Sequence, residues 1–271
     1  MSLIFDRLAV RSAIVFSGCG LHSGEPVTVT VHPGQDGIAF RAGSSRWAAT
    51  PGEVTETVRC TRLGEVSTIE HLMSAFAGLG ITDAEVEVSG GELPAAGGSS
   101  AEFVEGLLSS GFEKIGTMEV TPPFARVYLK GDHHSLAIGA GSGHWRYDFV
   151  TADVWPGKQS FEAFLDPRVY TSEVAPARTF VFEDEIAVVQ RAGFGQGLDE
   201  SSALVLGQMG YVNPSIFPDE AARHKLLDLI GDLYLSGIPI RAVDVVAERS
   251  GHAANIEAAA KLAAASRVVR H

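Results

Sequence analysis

Gly116-Thr117-Met118-Glu119-Val120-Thr121-Pro122-Pro123-Phe124 divides the chain, because consecutive prolines neither continue a helix nor supply the amide donors of a central strand. Before this break, Pro26-Val27-Thr28-Val29-Thr30-Val31 alternates as a half-buried strand does, and His32-Pro33-Gly34 turns the chain. Ser67-Thr68-Ile69-Glu70 has capping-box spacing and predicts a helix from Ser67, ended by Gly78 and Gly80. Asp83–Ser89 reads as a strand and Ala101–Leu108 as a second helix. After the break the theme returns. Strands are expected at Ala125–Tyr128, Ser135–Ile138 and Trp145–Val150, then a helix at Asp184–Arg191. A strongly apolar helix at Ala221–Leu235, a strand at Ala242–Glu248 and an Ala-rich helix from about Ala253 complete the chain. Strands followed by helices, twice over, predict an α+β fold of two similar domains, each a layer of sheet and a layer of helix. Their expected limits are 1–118 and 119–271, the second carrying a hydrophobic insert.

At 271 residues each half is long enough to bury a core. No apolar run approaches the roughly 18 residues needed to cross a bilayer. Asp6, Arg7 and Arg11 interrupt the N-terminal apolar stretch, which therefore reads as a first strand and not as a signal peptide, so a cytosolic protein is expected. Cys19 and Cys60 are too few for a disulfide framework. A net charge of −12 argues against a nucleic-acid binder, which needs surplus cations to displace counterions, and against broad attraction to an anionic membrane. An anionic small molecule, needing only a few local cations, remains compatible with it.

The chemistry concentrates in three places. In Arg223-His224-Lys225-Leu226-Leu227-Asp228-Leu229-Ile230-Gly231-Asp232, His224 and Asp228 lie one helical turn apart on one face, with Lys225 and Asp232 within about 100° of it. Polar side chains on an otherwise apolar helix need solvent or a functional partner. Imidazole and carboxylate at this spacing suit a metal of zinc type, but also a solvated i,i+4 pair. Glu70-His71 can divide metal binding and base catalysis between neighbours, or be a capping acceptor beside a core histidine. Ser250-Gly251-His252 sits between a strand and a helix, where loops commonly present catalytic groups.

Taken together, these segments resemble a known family. Gly18-Cys19-Gly20-Leu21-His22-Ser23-Gly24, Ser67-Thr68-Ile69-Glu70-His71-Leu72, Ala177-Arg178-Thr179-Phe180, His224–Leu233 and Ser250-Gly251-His252-Ala253 occur in the order seen in the UDP-3-O-acyl-N-acetylglucosamine deacetylases. The resemblance spans Gly18 to about Asn255. It implies an active site between the two domains, in which His71, His224 and Asp228 bind one Zn²⁺ and Glu70 is the general base. It implies further that His252, oriented by Asp232, is the acid near the leaving amine, and that Thr179 with the ion stabilises the oxyanion. Lys225 would face the substrate's phosphates and Phe180 would pack against the substrate. His22 belongs to a matching segment and receives no catalytic role. Three protein ligands leave a zinc position open for water, whose pKa falls from about 15.7 to about 7.

The implied partner is a UDP-linked acylated amino sugar, met by a monomer with at most peripheral membrane contact. Phe182, Ile186, Val189 and Phe194 match the family's acyl-chain passage, although an amphipathic helix packed inward has the same periodicity. Two stretches depart from the family. Gly97 stands where an Asp is expected, and Trp155 where a His would precede the proline. They keep open a related zinc amidohydrolase acting on another N-acetylated sugar, or a silent sugar-nucleotide or lipid-binding relative. His133, His134 and His144 read as surface or turn residues, and the glycine-rich stretches 139–143 and 193–197 as turns.

Overall fold

The computed structural model describes residues 2–271. After strand β1 (Leu3–Val10), a five-stranded sheet is built from β2 (Ile14–Cys19), β3 (Pro26–Pro33), β4 (Ile38–Ala42), β5 (Ser45–Ala48) and β8 (Ala84–Val88), with a small pair, β6 (Val54–Glu56) and β7 (Arg62–Leu63), between the last two. Val27, Val29 and Val31 of β3 and Ala84, Val86 and Val88 of β8 are buried, the alternation demanded when one face of a sheet is covered. Helices α1 (Glu70–Leu79) and α2 (Ala101–Ser110) share that core through Leu72, Phe76, Phe103 and Leu107. β9 (Phe112–Thr121) then pairs antiparallel with β1 on one side and with the C-terminal strand β17 (Arg267–Arg270) on the other.

The second half repeats the first. Its sheet contains β10 (Val127–Lys130), β11 (Ser135–Ala140), β12 (His144–Val150), β13 (Lys158–Phe164) and β16 (Val243–Glu248). The spatial order is β10-β11-β16-β12-β13, against β2-β3-β8-β4-β5 in the first sheet. In both, the last strand in sequence is inserted at the centre and runs parallel only to the third, β8 to β4 and β16 to β12. The expected α+β fold of two similar layered domains is therefore one topology used twice. Between β13 and β16 lie a one-turn helix α3 (Pro167–Val169), β14 (Phe180–Phe182), α4 (Ile186–Arg191), β15 (Leu204–Leu206) and α5 (Glu220–Tyr234), and α6 (His252–Ala265) follows β16. None of the helices among the described residues is long and apolar enough to cross a membrane.

Three local expectations change. Helix α1 begins at Glu70 and has no side-chain cap, because Ser67 is taken into backbone hydrogen bonds with Gly91 and Leu93 and Thr68 stands at φ +62°. The Glu70 carboxylate is thereby released from capping. Gly78 does not end the helix; its absent side chain makes room for Tyr170, whose ring would lie 2.1 Å from a Cβ there, and Gly80 at φ +74° ends it alone. Residues 116–121 belong to β9, so position 118 lies within a strand and the prolines follow its end.

Helices α1 and α5 touch backbone to backbone where a Cβ on Gly231 would stand 2.0 Å from the Glu70 carbonyl oxygen. Gly231→Ala is expected to destabilise the protein by about 1–3 kcal/mol, the usual cost of overpacking, with a matching shift in the denaturant midpoint. A midpoint unchanged from the wild type would show that the helices can separate freely.

Candidate active site

The close crossing of α1 and α5 brings His71 of the first helix against His224 and Asp228 of the second. One ligand atom from each lies within 4.8 Å of the others, and all three residues are buried. His71 Nε2 is 3.6 Å and His224 Nε2 3.4 Å from Asp228 Oδ1, with the two rings nearly perpendicular. His224 Nδ1 lies 3.1 Å from the Ala177 carbonyl, which can only accept; Nδ1 carries the hydrogen and the Nε2 lone pair faces the cluster. Burial pushes His224 down to about 4, more than Asp228 raises it, so the imidazole is neutral as a metal ligand must be. Lys225 Nζ donates to Asp228 Oδ2 at 2.7 Å and leaves Oδ1 for the cluster. Burial disfavours the Asp228 carboxylate, but the Lys225 charge and the contact with His71 outweigh it and hold the group well below the usual range. His71 Nδ1 is buried without a partner. Two imidazoles and a carboxylate converging on one point fit a divalent ion of zinc type with a position left open.

Glu70 and His252 stand beside this cluster. Glu70 Oε2 accepts from the Thr61 amide at 3.0 Å, and burial pushes the carboxyl up to about 7 despite the opposing His252 and His71. His252 opens α6; its Nδ1 is 2.9 Å from Asp232 Oδ2, while its Nε2 is 3.9 Å from Glu70 Oε1. Burial alone would lower this imidazole, but the charge and hydrogen bond of Asp232, with Glu70 adding, raise it to about 9. Asp232 lies one turn beyond Asp228, fully buried, and is also bonded by Thr61 and Asn255.

These groups face a cavity of about 590 Å³ whose walls come from both domains. Thr179 and Phe180 line it, Thr179 strapped by its amide to Gly98 O at 2.7 Å and by its carbonyl to the Leu204 amide at 2.8 Å. The Phe180 ring lies 6.0 Å from that of His224. Lys225 lines the same wall, as do Phe182, Ile186, Val189 and Phe194. No residue of α4 is fully buried, which favours a lining element over an ordinary inward-packed helix. The glycine-rich segment that carries Phe194 docks on the first domain, where Gly195 N–H donates to His22 Nδ1 at 3.3 Å and Gln196 N–H to His22 O at 3.1 Å.

Every predicted site residue except Asp232 thus lines one cavity, and Asp232 reaches it through His252. Sequence reasoning missed His22 as a wall residue, Arg59, whose guanidinium lies 5.9 Å from the Phe194 ring centroid, and both Thr61 and Asn255. Asn255, three residues after His252 on one helix, was readable from spacing; Thr61 has no periodic relation to its partners. Gly97 adopts φ +65° beside Glu102 and is absent from the cavity wall, while Gly98 still anchors Thr179. Trp155 packs edge-on against Tyr211, with ring centroids 4.6 Å apart. His144 lies 3.8 Å from Glu162 on the second sheet, away from the cluster.

The family model of the UDP-3-O-acyl N-acetylglycosamine deacetylases matches residues 7–264. A UDP-3-O-acyl-N-acetylglucosamine deacetylase of Leptospira biflexa is 32% identical over 275 residues, covering 96% of this chain and 90% of its own. Proteins of the same name from Nitratidesulfovibrio vulgaris and from Anaeromyxobacter sp. strain Fw109-5 are 34% and 36% identical, over 92% and 93% of this chain and 85% and 86% of theirs.

Proposed function

The chain belongs to the UDP-3-O-acyl N-acetylglycosamine deacetylase family, and from that premise we propose that it hydrolyses the N-acetyl group of UDP-3-O-acyl-N-acetylglucosamine, the committed step toward lipid A, with one Zn²⁺ held by His71, His224 and Asp228. The observation that carries this reading is the convergence of that ligand set, Glu70 and His252 on a cavity that continues into an apolar wall. When bound, the ion supplies Lewis acidity, which brings a water's pKa from about 15.7 toward about 7.

The protein's own groups do the rest. Glu70, with Oε2 occupied by the Thr61 amide, takes the water's proton at Oε1. Thr179 stands on the wall as a donor for the oxygen that gains charge when the acetamide carbonyl is attacked, a role commonly worth about 3 kcal/mol. His252, held as an imidazolium by Asp232, gives its proton to the departing nitrogen. An ammonium has three donors, and Asp228 uses one from Lys225; the others serve the substrate's phosphates. Phe180 packs against the sugar. Phe182, Ile186, Val189 and Phe194 receive the acyl chain, each buried methylene contributing about 0.8 kcal/mol. The reaction belongs in the cytosol, carried out by a monomer with at most peripheral membrane contact.

Purified protein of known zinc content should release acetate and free amine in equal amounts from UDP-3-O-acyl-N-acetylglucosamine, and much more slowly from the unacylated UDP-sugar. Turnover of another N-acetylated UDP-sugar alone would move the substrate assignment. Acetate from none of them would end the enzymatic one.

A further inference from the structure

Thr61 is fully buried, and among the described residues it alone is hydrogen-bonded to both carboxylates that serve proton transfer. Its amide donates to Glu70 Oε2 at 3.0 Å, and its hydroxyl donates to Asp232 Oδ1 at 2.6 Å. The same hydroxyl oxygen is 3.3 Å from His252 Nδ1. The residue sits just before β7, after Arg59 at φ +62° and Cys60, and its carbonyl is tied to the Ile69 amide at 3.2 Å. Its backbone is therefore pinned to the N-terminal cap of α1, while its hydroxyl reaches Asp232 on α5.

We infer that Thr61 is a positioning residue for the reaction, fixing through its amide which oxygen of Glu70 is free and through its hydroxyl how Asp232 holds His252. The accounting is complete at the Asp232 carboxylate. Asp232 Oδ2 takes His252 Nδ1–H and Asn255 Nδ2, both at 2.9 Å, so Oδ1 has the Thr61 hydroxyl as its one partner. With Oδ1 satisfied, the carboxylate cannot rotate to offer it to His252, and the imidazole keeps Nε2 toward Glu70 Oε1. Without that hydroxyl, a wholly buried charged oxygen loses its donor, and the carboxylate turns to share its remaining donors. The base and the acid stand on α1 and α6, and Thr61 is the hydrogen-bonded link that sets one against the other. Loss of an orienting partner of this kind costs about 10- to 100-fold in activity.

The inference rests on the deacetylase reading for its kinetic arm only. Thr61→Val removes the hydroxyl and keeps the volume and the amide, while Thr61→Ser restores the hydroxyl. The zinc-loaded valine variant should lose about 10- to 100-fold in kcat toward UDP-3-O-acyl-N-acetylglucosamine at unchanged KM and zinc content, and the serine variant should recover most of it. In the downfield proton spectrum of histidine-labelled protein, without substrate, the His252 Nδ1–H signal should shift and broaden in the valine variant and return in the serine one. The wild type should show a slowly exchanging Thr61 hydroxyl proton close to the His252 ring, a measurement that decides the matter even if the valine variant does not fold. A serine variant as slow as the valine one, an unmoved His252 signal, or a freely exchanging Thr61 hydroxyl would overturn the role. Wild-type protein that gives the expected spectra and no acetate would count against the deacetylase reading and leave the positioning intact.

Discussion

Glu70→Gln is expected to leave the zinc content of the protein unchanged and to lower kcat by about 10²- to 10⁴-fold, the range associated with loss of a general base. The amide is nearly isosteric, and its oxygen can still accept from Thr61 N–H, so α1 and the neighbouring His71 stay in place. Only the capacity to hold the water's proton is removed. KM should change little, because the carboxylate is engaged with the Thr61 amide and faces His252, and glutamine keeps its shape. Stability should not fall much either, since burial already brings this carboxyl to about 7 and a neutral side chain suits the site. A variant that loses its zinc would make Glu70 a ligand, and a variant with near-normal kcat would leave the reaction without its base.

His252→Gln carries the second large effect, a loss of about 10²-fold or more in kcat together with a change in the pH profile. The folded protein raises this imidazole from its ordinary 6.5 to about 9, so the charged form persists through neutral pH and is lost as pH rises through 9. Activity that needs the imidazolium must therefore show an alkaline limb near that value, and glutamine, which does not titrate, should move or abolish it. The acid limb, where Glu70 must be deprotonated, should remain. Each limb is macroscopic, because Glu70 and His252 raise and lower one another. The same shift enters stability with a definite sign. A raised pKa means that the protonated group stabilises the native state, fully below about 6.5, and that this contribution disappears as pH climbs through about 9. Thermal melts of the wild type should decline across that window, and the glutamine variant should lack this component. An unaltered alkaline limb with near-normal rate would remove His252 from the role of acid.

How much of this was legible in the sequence follows from where each signal resides. Helix α5 carries His224, Asp228 and Asp232 at successive turns, and helical spacing alone brings them into one row. The buried strands with clean alternation, such as Pro26–Pro33 and Val243–Glu248, were readable for the same reason. β5 and β13 were not, because Ser45-Arg46-Trp47-Ala48 and Lys158–Phe164 are largely exposed and mix polar and apolar residues on both faces. β17 was hidden by the strong helix formers that precede it. The capping box at Ser67 failed through tertiary override: the segment at Gly91–Leu93 claims Ser67 in the backbone, and Glu92 claims the Thr68 hydroxyl. The Glu70 carboxylate turned instead to Thr61, a residue that no periodicity connects to α1, α5 or α6. Contacts that cross three elements leave no local pattern to read.

The central claim is that His71, His224 and Asp228 hold the ion on which the proposed chemistry depends. Metal content by mass spectrometry, on wild-type protein and His224→Ala purified side by side, tests it most directly. One zinc per wild-type chain and almost none in the variant is the result predicted, since two remaining ligands cannot keep a tetrahedral site closed. A wild type without zinc, or a variant that retains the wild-type amount, would contradict it.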